Sequence, residues 1–398
     1  MNGDFHFYGT FLAARAAGWS VADATTIANS AAFIDHYSVT AADAVGRVAE
    51  SFDVPFSPRF TFPAHDTDWF SSVWSMRQEN STWTVFHFLP GNRPTGFDGP
   101  KYRPVEVEDW GLADTGGRES GEGLTRPHGG VARVLLERLA PRCREDVHLL
   151  GIAAHVFEDT WAHQNFSGRA LQLNVKADNE DVQAIDRTTG QSRPLGLTLS
   201  SGPTQQAPYL GQGIPGHGRF GMAPDLAFLR WSYRPRWSGS SEPLVRDNPS
   251  IFLDAWDHVA AMLWAVRTGH DLLDALDHPP QLPSAYREVV ERFVAVDMWA
   301  EWKDSPDFET FEARCMDTWR QLAGDLVGDA VYTAQETWVR QAEAVQSALA
   351  LQASDVFRFN QAAECFWDNA WQTLRDLDYR HTIRHFSRGV NKVLDDRV

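Results

Sequence analysis

The chain has 398 residues, 43 % of them hydrophobic and 22 % charged, which allows one large domain or several smaller ones and is ordinary for a soluble globular protein. Its formal net charge of −17 at pH 7 argues against unspecific binding to nucleic acid or to an anionic membrane, since both need a cationic surface. Cys143, Cys315 and Cys365 are too few and too widely spaced to indicate a disulfide framework or a thiolate zinc site.

The opening Met1-Asn-Gly-Asp-Phe-His6 has neither the cationic start nor the apolar run of a signal peptide, and no stretch is apolar for long enough to span a bilayer. The expected compartment is therefore the cytoplasm. Phe5 to Ala17 read as a helix, with Phe7, Phe11, Leu12 and Ala16 at helical offsets and Gly18 as its stop. Ser20 reads as an N-cap, with Asp23 three residues later, for a second helix through Phe33 and Ile34. Two candidate ligands bracket this pair: His6 at its opening, and Asp35, with His36 beside it, at its end.

Residues 53 to 125 are broken by Pro, Gly, Asp and Trp and read as loop-rich with short helices. Within them, Thr84-Val-Phe-His87-Phe-Leu-Pro90 is a short apolar run around one imidazole, either a satisfied core histidine or a ligand. His65, with Asp66 and Asp68 close by, is a looser competitor. His128, in Arg126-Pro-His128-Gly-Gly just before a helix from Val131 to Leu139, is either a substrate contact or a plain loop residue.

Leu150 to Gly168 is the stretch around which the chain is organised. Helical spacing of about 100° per residue puts His155, Asp159 and His163 within one arc of roughly 80°. At about 1.5 Å rise per residue, His155 and His163 lie roughly 12 Å apart along an unbroken helix, too far for one ion. Either the helix loosens before Gln164, or the two histidines serve different ions with Asp159 between them. The bland alternative is a buried polar seam satisfied by neighbouring helices, although an Ala-Ala-His-Val-Phe core is an expensive place for imidazoles and a carboxylate without strong partners. Glu158 should point about 100° away from Asp159, in a supporting position.

Residues 169 to 215 change character. Gln172 to Ala177 and Leu195 to Leu199 alternate around a turn at Asp186-Arg-Thr-Thr-Gly190, which predicts a small β-hairpin. His217, between two glycines, is poorly explained by core packing, and Asp225 follows it after Pro224. Helices are then expected over Ile251–Leu276, Tyr286–Trp302, Phe308–Leu326, Ala330–Gln352 and Phe357–Leu377, with Pro279, Pro280 and Pro283 breaking the first from the second. The short basic tail from Arg380 to Arg388 could dock an acidic partner.

The His155-x-x-x-Asp159 helix followed by His163 resembles the zinc-dependent phospholipase C and P1-type nuclease superfamily. Its members are all-helical enzymes that hold up to three zinc ions and hydrolyse phosphate esters. The opening Phe5-His-Phe-Tyr-Gly-Thr10 also resembles that of a group of bacterial proteins, a likeness that brings no activity with it. Carried over residue by residue, the first resemblance implies one ion held by Asp35, His87, His155 and Asp159, and a second held by His163 and His217. Where the superfamily has a carboxylate one turn after that last histidine, this chain has Gly221, and Asp225 is the nearest substitute. A third ion would be shared by Asp159 and His6. In the relatives it is completed by an N-terminal Trp, which is Met1 here, so the Met1 amine or the Asp4 carboxylate would stand in.

The implied fold is mainly α: a multi-helix core of the phospholipase C/P1 nuclease type with a small β-hairpin insertion and a helical C-terminal extension. Residues 1–245 would form the metal-binding catalytic domain and residues 246–398 a helical region packed on it. The implied reaction is hydrolysis of a phosphate ester, small or lipid-like, by a metal-activated water that Asp35 orients or deprotonates. Imidazole and carboxylate together suit zinc, with Mn²⁺ and Fe²⁺ also compatible. Hydrolysis of an amide or ester is one alternative. Another is a non-catalytic helical protein that keeps a structural metal site and presents its C-terminal helices to a partner.

Overall fold

The computed structural model describes residues 1–62, 81–92, 123–168, 182–195, 217, 220–234, 242–305, 307–328, 330, 332–333 and 335–379. Its architecture is mainly helical, with one small antiparallel sheet, and it is built around the helix Val147–Ala162. From His148 to Ala162 every residue of this central helix is buried, as expected of a sequence that is apolar on most of its circumference. Asp146 caps its start, its Oδ1 accepting the N–H groups of His148 (3.0 Å) and Leu149 (3.1 Å). Around it pack the helices Val21–Phe33, Gly130–Cys143, Asn248–Thr268 and Asp355–Asp376. Elements from both ends of the chain thus enclose one core.

The expected N-terminal helix forms, but its first turn, Phe5–Gly9, is a π turn in which the Thr10 N–H reaches back to the Phe5 carbonyl. Regular helix follows over Thr10–Ala16, and Gly18 ends it at φ 88°. Phe5, Phe7, Tyr8 and Phe11 are wholly buried, the first three against Phe252, Trp319 and Tyr332 of the C-terminal half. Burying each such ring contributes about 1.5–3 kcal/mol, which is how so aromatic a segment becomes core instead of a frayed end. Ser20 caps Val21–Phe33 by accepting the Asp23 N–H at 3.0 Å. The central helix and Val21–Phe33 meet closely at Gly151: a Cβ there would lie 2.3 Å from the Ile27 carbonyl oxygen. Only glycine admits that distance.

Several boundaries differ from expectation. Val39–Ser51, capped by Ser38, is a further helix, and the helix expected over Val131–Leu139 runs from Gly130 to Cys143. The long C-terminal segments split where local chemistry stops them. Gly269, left-handed at φ 77°, separates Asn248–Thr268 from Leu272–Asp277. Tyr286–Trp302 divides into Ser284–Ala295 and Trp299–Asp304, and the Ser347 hydroxyl starts Ala348–Ala353 after Gln335–Glu343. No helix among the described residues is long and apolar enough to cross a membrane.

The hairpin turn at Asp186–Gly190 is present, flanked by β1 (Gln183–Ile185) and β2 (Ser192–Pro194). It is one edge of a larger sheet, not a free-standing insertion. β1 also pairs with β3 (Arg230–Tyr233), and β3 with β4 (Leu244–Asp247), in the antiparallel order β2-β1-β3-β4. β3 and β4 are four residues each, too short for alternation to announce them. The strand expected at 172–177, most of that at 195–199, His65 and the basic tail lie outside the described residues.

Candidate metal centre

Four segments converge beside the central helix. His6 comes from the π turn, Asp35 from the turn after Val21–Phe33, and His87 from the end of the helical stretch 81–86. His155 and Asp159 stand one turn apart on the central helix, and His163 is its C-cap. His217 and Asp225 arrive from the segment before β3, Asp225 closing a short 3-10 turn. Among the described residues, three groups have ligand atoms close enough to hold a metal ion: His6, His155 and Asp159; Asp35, His87 and His155; His163, His217 and Asp225.

The second group is the best formed, and Asp159 extends it. His155 Nε2 lies 3.5 Å from His87 Nδ1, 3.9 Å from Asp35 Oδ1 and 3.2 Å from Asp159 Oδ2. His87 Nδ1 is 3.6 Å from Asp35 Oδ1 and 3.5 Å from Asp159 Oδ2. Ligands about 2.0–2.1 Å from a tetrahedral zinc ion stand about 3.3 Å apart, and the distances among these side chains, 3.2–3.9 Å, are close to that. In the third group, Asp225 bridges two histidines: Oδ1 is 3.1 Å from His163 Nε2, and Oδ2 is 3.1 Å from His217 Nε2. His6 Nε2 lies 3.3 Å from Asp159 Oδ1 and 3.9 Å from Asp35 Oδ2. Because His155 offers one lone pair at Nε2, it can complete only one of the two groups that contain it. The Met1 amino nitrogen bonds to Asp159 Oδ1 and lies 3.4 Å from Asp225 Oδ1.

Which ring nitrogen is free is set by the backbone. His87 donates from Nε2 to the Thr61 carbonyl at 3.0 Å, leaving Nδ1 toward the carboxylates. His163 donates from Nδ1 to the His87 carbonyl at 2.6 Å, and His217 from Nδ1 to the Gly221 carbonyl at 2.8 Å, leaving both Nε2 atoms toward Asp225. Gly221, where the superfamily pattern has a carboxylate, thus orients the histidine, while Asp225 faces its other nitrogen. Metal-binding histidines are typically fixed in this way. Burial lowers the pKa of His6, His87, His155 and His217, the last two to about 4, which keeps the imidazoles neutral and their lone pairs available. Burial opposes ionisation of Asp159, but His163, the Met1 amine and His155 outweigh it and hold its carboxyl well below the usual range. Asp35 is pushed up, by burial first and by the Asp159 charge second. His6 Nε2 and Asp159 Oδ2 are buried without a hydrogen-bond partner. Neutral imidazoles, the ionised Asp159 carboxylate and the unsatisfied His6 Nε2 and Asp159 Oδ2 form a donor set that a dication fits.

The remaining candidates stand elsewhere. His128, at φ 53°, accepts from Arg133 Nη1 at 2.9 Å and packs beside Trp161 and His258, away from the three groups. Asp4 accepts the Trp319 Nε1–H at 2.8 Å, whereas the Met1 amine lies among the carboxylates. His36 accepts from the Tyr332 hydroxyl at 3.4 Å.

Two supporting residues have no sequence signal. Arg246 of β4, 2 % exposed, donates to the carbonyls of Trp161 (3.2 Å), Ala162 (2.8 Å) and Gln164 (3.0 Å), closing the end of the central helix where His163 sits. The Asn248 amide donates to the Ala223 (2.7 Å) and Leu226 (2.9 Å) carbonyls and so holds the turn that carries Asp225. Both reach the centre from elements far along the chain.

A family model described as a family of unknown function, DUF6765, matches residues 1–374. No curated protein and no solved structure matches the chain.

Proposed function

The chain belongs to the DUF6765 family, and we propose that it is a zinc-dependent hydrolase acting on a phosphate ester. The observation that carries this reading is the orientation of His87, His163 and His217. Each is held by a backbone carbonyl so that its other nitrogen faces a buried carboxylate. Zinc in these positions supplies a water acidified toward neutrality and stabilises the anionic oxygens of displacement at phosphorus.

Asp35, His87, His155 and Asp159 would hold one ion, and His163, His217 and Asp225 another. His6 and Asp159 are the donors for a third. Asp35 is the most open of these side chains, 24 % exposed, with His217 next at 14 %. Substrate would therefore reach the centre at its most open side chain, Asp35. An Asp35 carboxylate at that edge orients the attacking water and takes its proton.

The test is metal content per chain by elemental mass spectrometry, on protein purified without chelator, followed by turnover of bis(p-nitrophenyl) phosphate. Two or three zinc equivalents are expected, with His155→Ala and His163→Ala losing different shares. Metal-free wild type, indistinguishable from both variants, would end this reading. The depth of the ligands, most of them 6 % exposed or less, favours one competitor, a closed structural metal site. Loss of turnover with folding intact in Asp159→Ala supports the enzyme; unfolding together with metal loss supports the competitor.

A further inference from the structure

The residue before Asp159 has a different role. Glu158 is 1 % exposed, and its carboxylate faces back toward the N-terminal segment. Oε2 accepts from His6 Nδ1 at 2.7 Å, and Oε1 accepts from the Thr10 hydroxyl at 2.7 Å. His6 and Thr10 are four residues apart, on the π turn and the helix that continues it, and both reach this one carboxylate. The π turn brings them there, and such turns recur at functional sites.

We propose that Glu158 is the positioning residue for His6, fixing the His6 proton on Nδ1 and aiming the Nε2 lone pair at the ion shared with Asp159. The proposal rests on the metal-centre reading above. Three observations support it together. His6 is wholly buried, yet Nε2 has no hydrogen-bond partner and lies 3.3 Å from Asp159 Oδ1. Its ring stacks on His155 at 3.8 Å between centroids with 26° between planes, so it cannot swing away from that direction. Both Glu158 oxygens are engaged, Oε2 by His6 Nδ1 and Oε1 by the Thr10 hydroxyl, in a site where burial pushes the carboxyl up and Thr10 and the Met1 amine oppose that shift. Glu158 and Asp159 thus divide the two nitrogens of one imidazole: Glu158 takes the proton side and Asp159 faces the lone pair. A carboxylate behind a metal-binding histidine also raises the basicity of the ligating nitrogen.

The experiment is zinc competition against a chromogenic chelator, on full-length protein with Zn²⁺ alone as the probe, comparing wild type with Glu158→Gln, Glu158→Leu and His6→Ala. Glu158→Gln keeps the shape and a neutral acceptor; Glu158→Leu removes both acceptors. The expected result is that one class of zinc, the class missing from His6→Ala, weakens about 10-fold in Glu158→Gln and about 100-fold in Glu158→Leu. The other classes stay within twofold of wild type. A core residue without this role would not produce graded, class-specific loss. Should Glu158→Leu not fold, Glu158→Gln decides alone. Zinc affinities unchanged in Glu158→Gln while His6→Ala loses a class would overturn the proposal and leave the metal centre standing. So would weakening of a class that His6→Ala retains. Wild type that binds no zinc overturns both readings together.

Discussion

Replacing Gly151 by alanine sets two effects of opposite sign against each other. In a helix interior alanine is favoured over glycine by roughly 1 kcal/mol, so an unobstructed substitution would stabilise. Here the new methyl would lie 2.3 Å from the Ile27 carbonyl oxygen, 2.6 Å from Ser30 Cβ and 3.2 Å from the Ala31 nitrogen. Carbon–carbon contacts are comfortable at about 3.5–4.0 Å, so the central helix and Val21–Phe33 would have to separate by about 1 Å. The main obstacle is backbone, which cannot rotate aside. Overpacking of this kind costs about 1–3 kcal/mol or more, and the upper end applies, for a net loss of about 2 kcal/mol after the propensity gain. The separation also moves Asp35, just beyond Val21–Phe33, away from His155, one turn after Gly151. A shift of about 1 Å far exceeds the roughly 0.2 Å tolerance of a metal–ligand distance. Denaturant unfolding of Gly151→Ala should show a lower midpoint with unchanged slope, and elemental analysis should show zinc missing from the Asp35–His87–His155–Asp159 group. Stability equal to or above wild type with full zinc content would refute the argument.

Arg246→Met should free the carbonyls that end the central helix and lower stability by on the order of 3 kcal/mol, because buried acceptors are left unpaired. Zinc should be lost first from the His163–His217–Asp225 group; a variant that melts with wild type and keeps its zinc speaks against the helix-end role. Asp4→Asn should act in the other direction. Burial raises the Asp4 carboxyl from 3.8 to about 6, although the Trp319 N–H opposes it. Between those values the folded state binds the proton more tightly than the unfolded chain does, so stability falls as pH rises through this window. Asparagine removes that loss, worth roughly 3 kcal/mol at pH 7 and nothing below about pH 4. Melting temperatures of the two proteins at pH 4 and pH 7 measure it, and an equal difference at both would contradict the assignment.

Local chemistry was legible wherever it acts within a few residues. The Ser20 cap, the stop at Gly18, the turn at Asp186–Gly190 and the shared face of His155, Asp159 and His163 all follow from spacing and backbone preference. Boundaries in the C-terminal half were less legible, because apolar periodicity continues across the breaks near Val296 and Ser347 while capping ends the helices there. Short strands such as Arg230–Tyr233 carry too few residues to show a period.

Sequence alone established a mainly helical chain with one polar face inside an apolar helix, because helical periodicity and the penalty for burying charge operate along the chain. The tertiary structure decided how those groups meet. His6 and Asp225 lie on opposite sides of the central helix in sequence, yet each comes within reach of a carboxylate or imidazole on or next to it. The lone pairs are aimed by the carbonyls of Thr61, His87 and Gly221, and backbone carbonyls carry no residue-type signal. Arg246 and Glu158 owe their positions to packing between elements distant in the chain, a relation that no local pattern records.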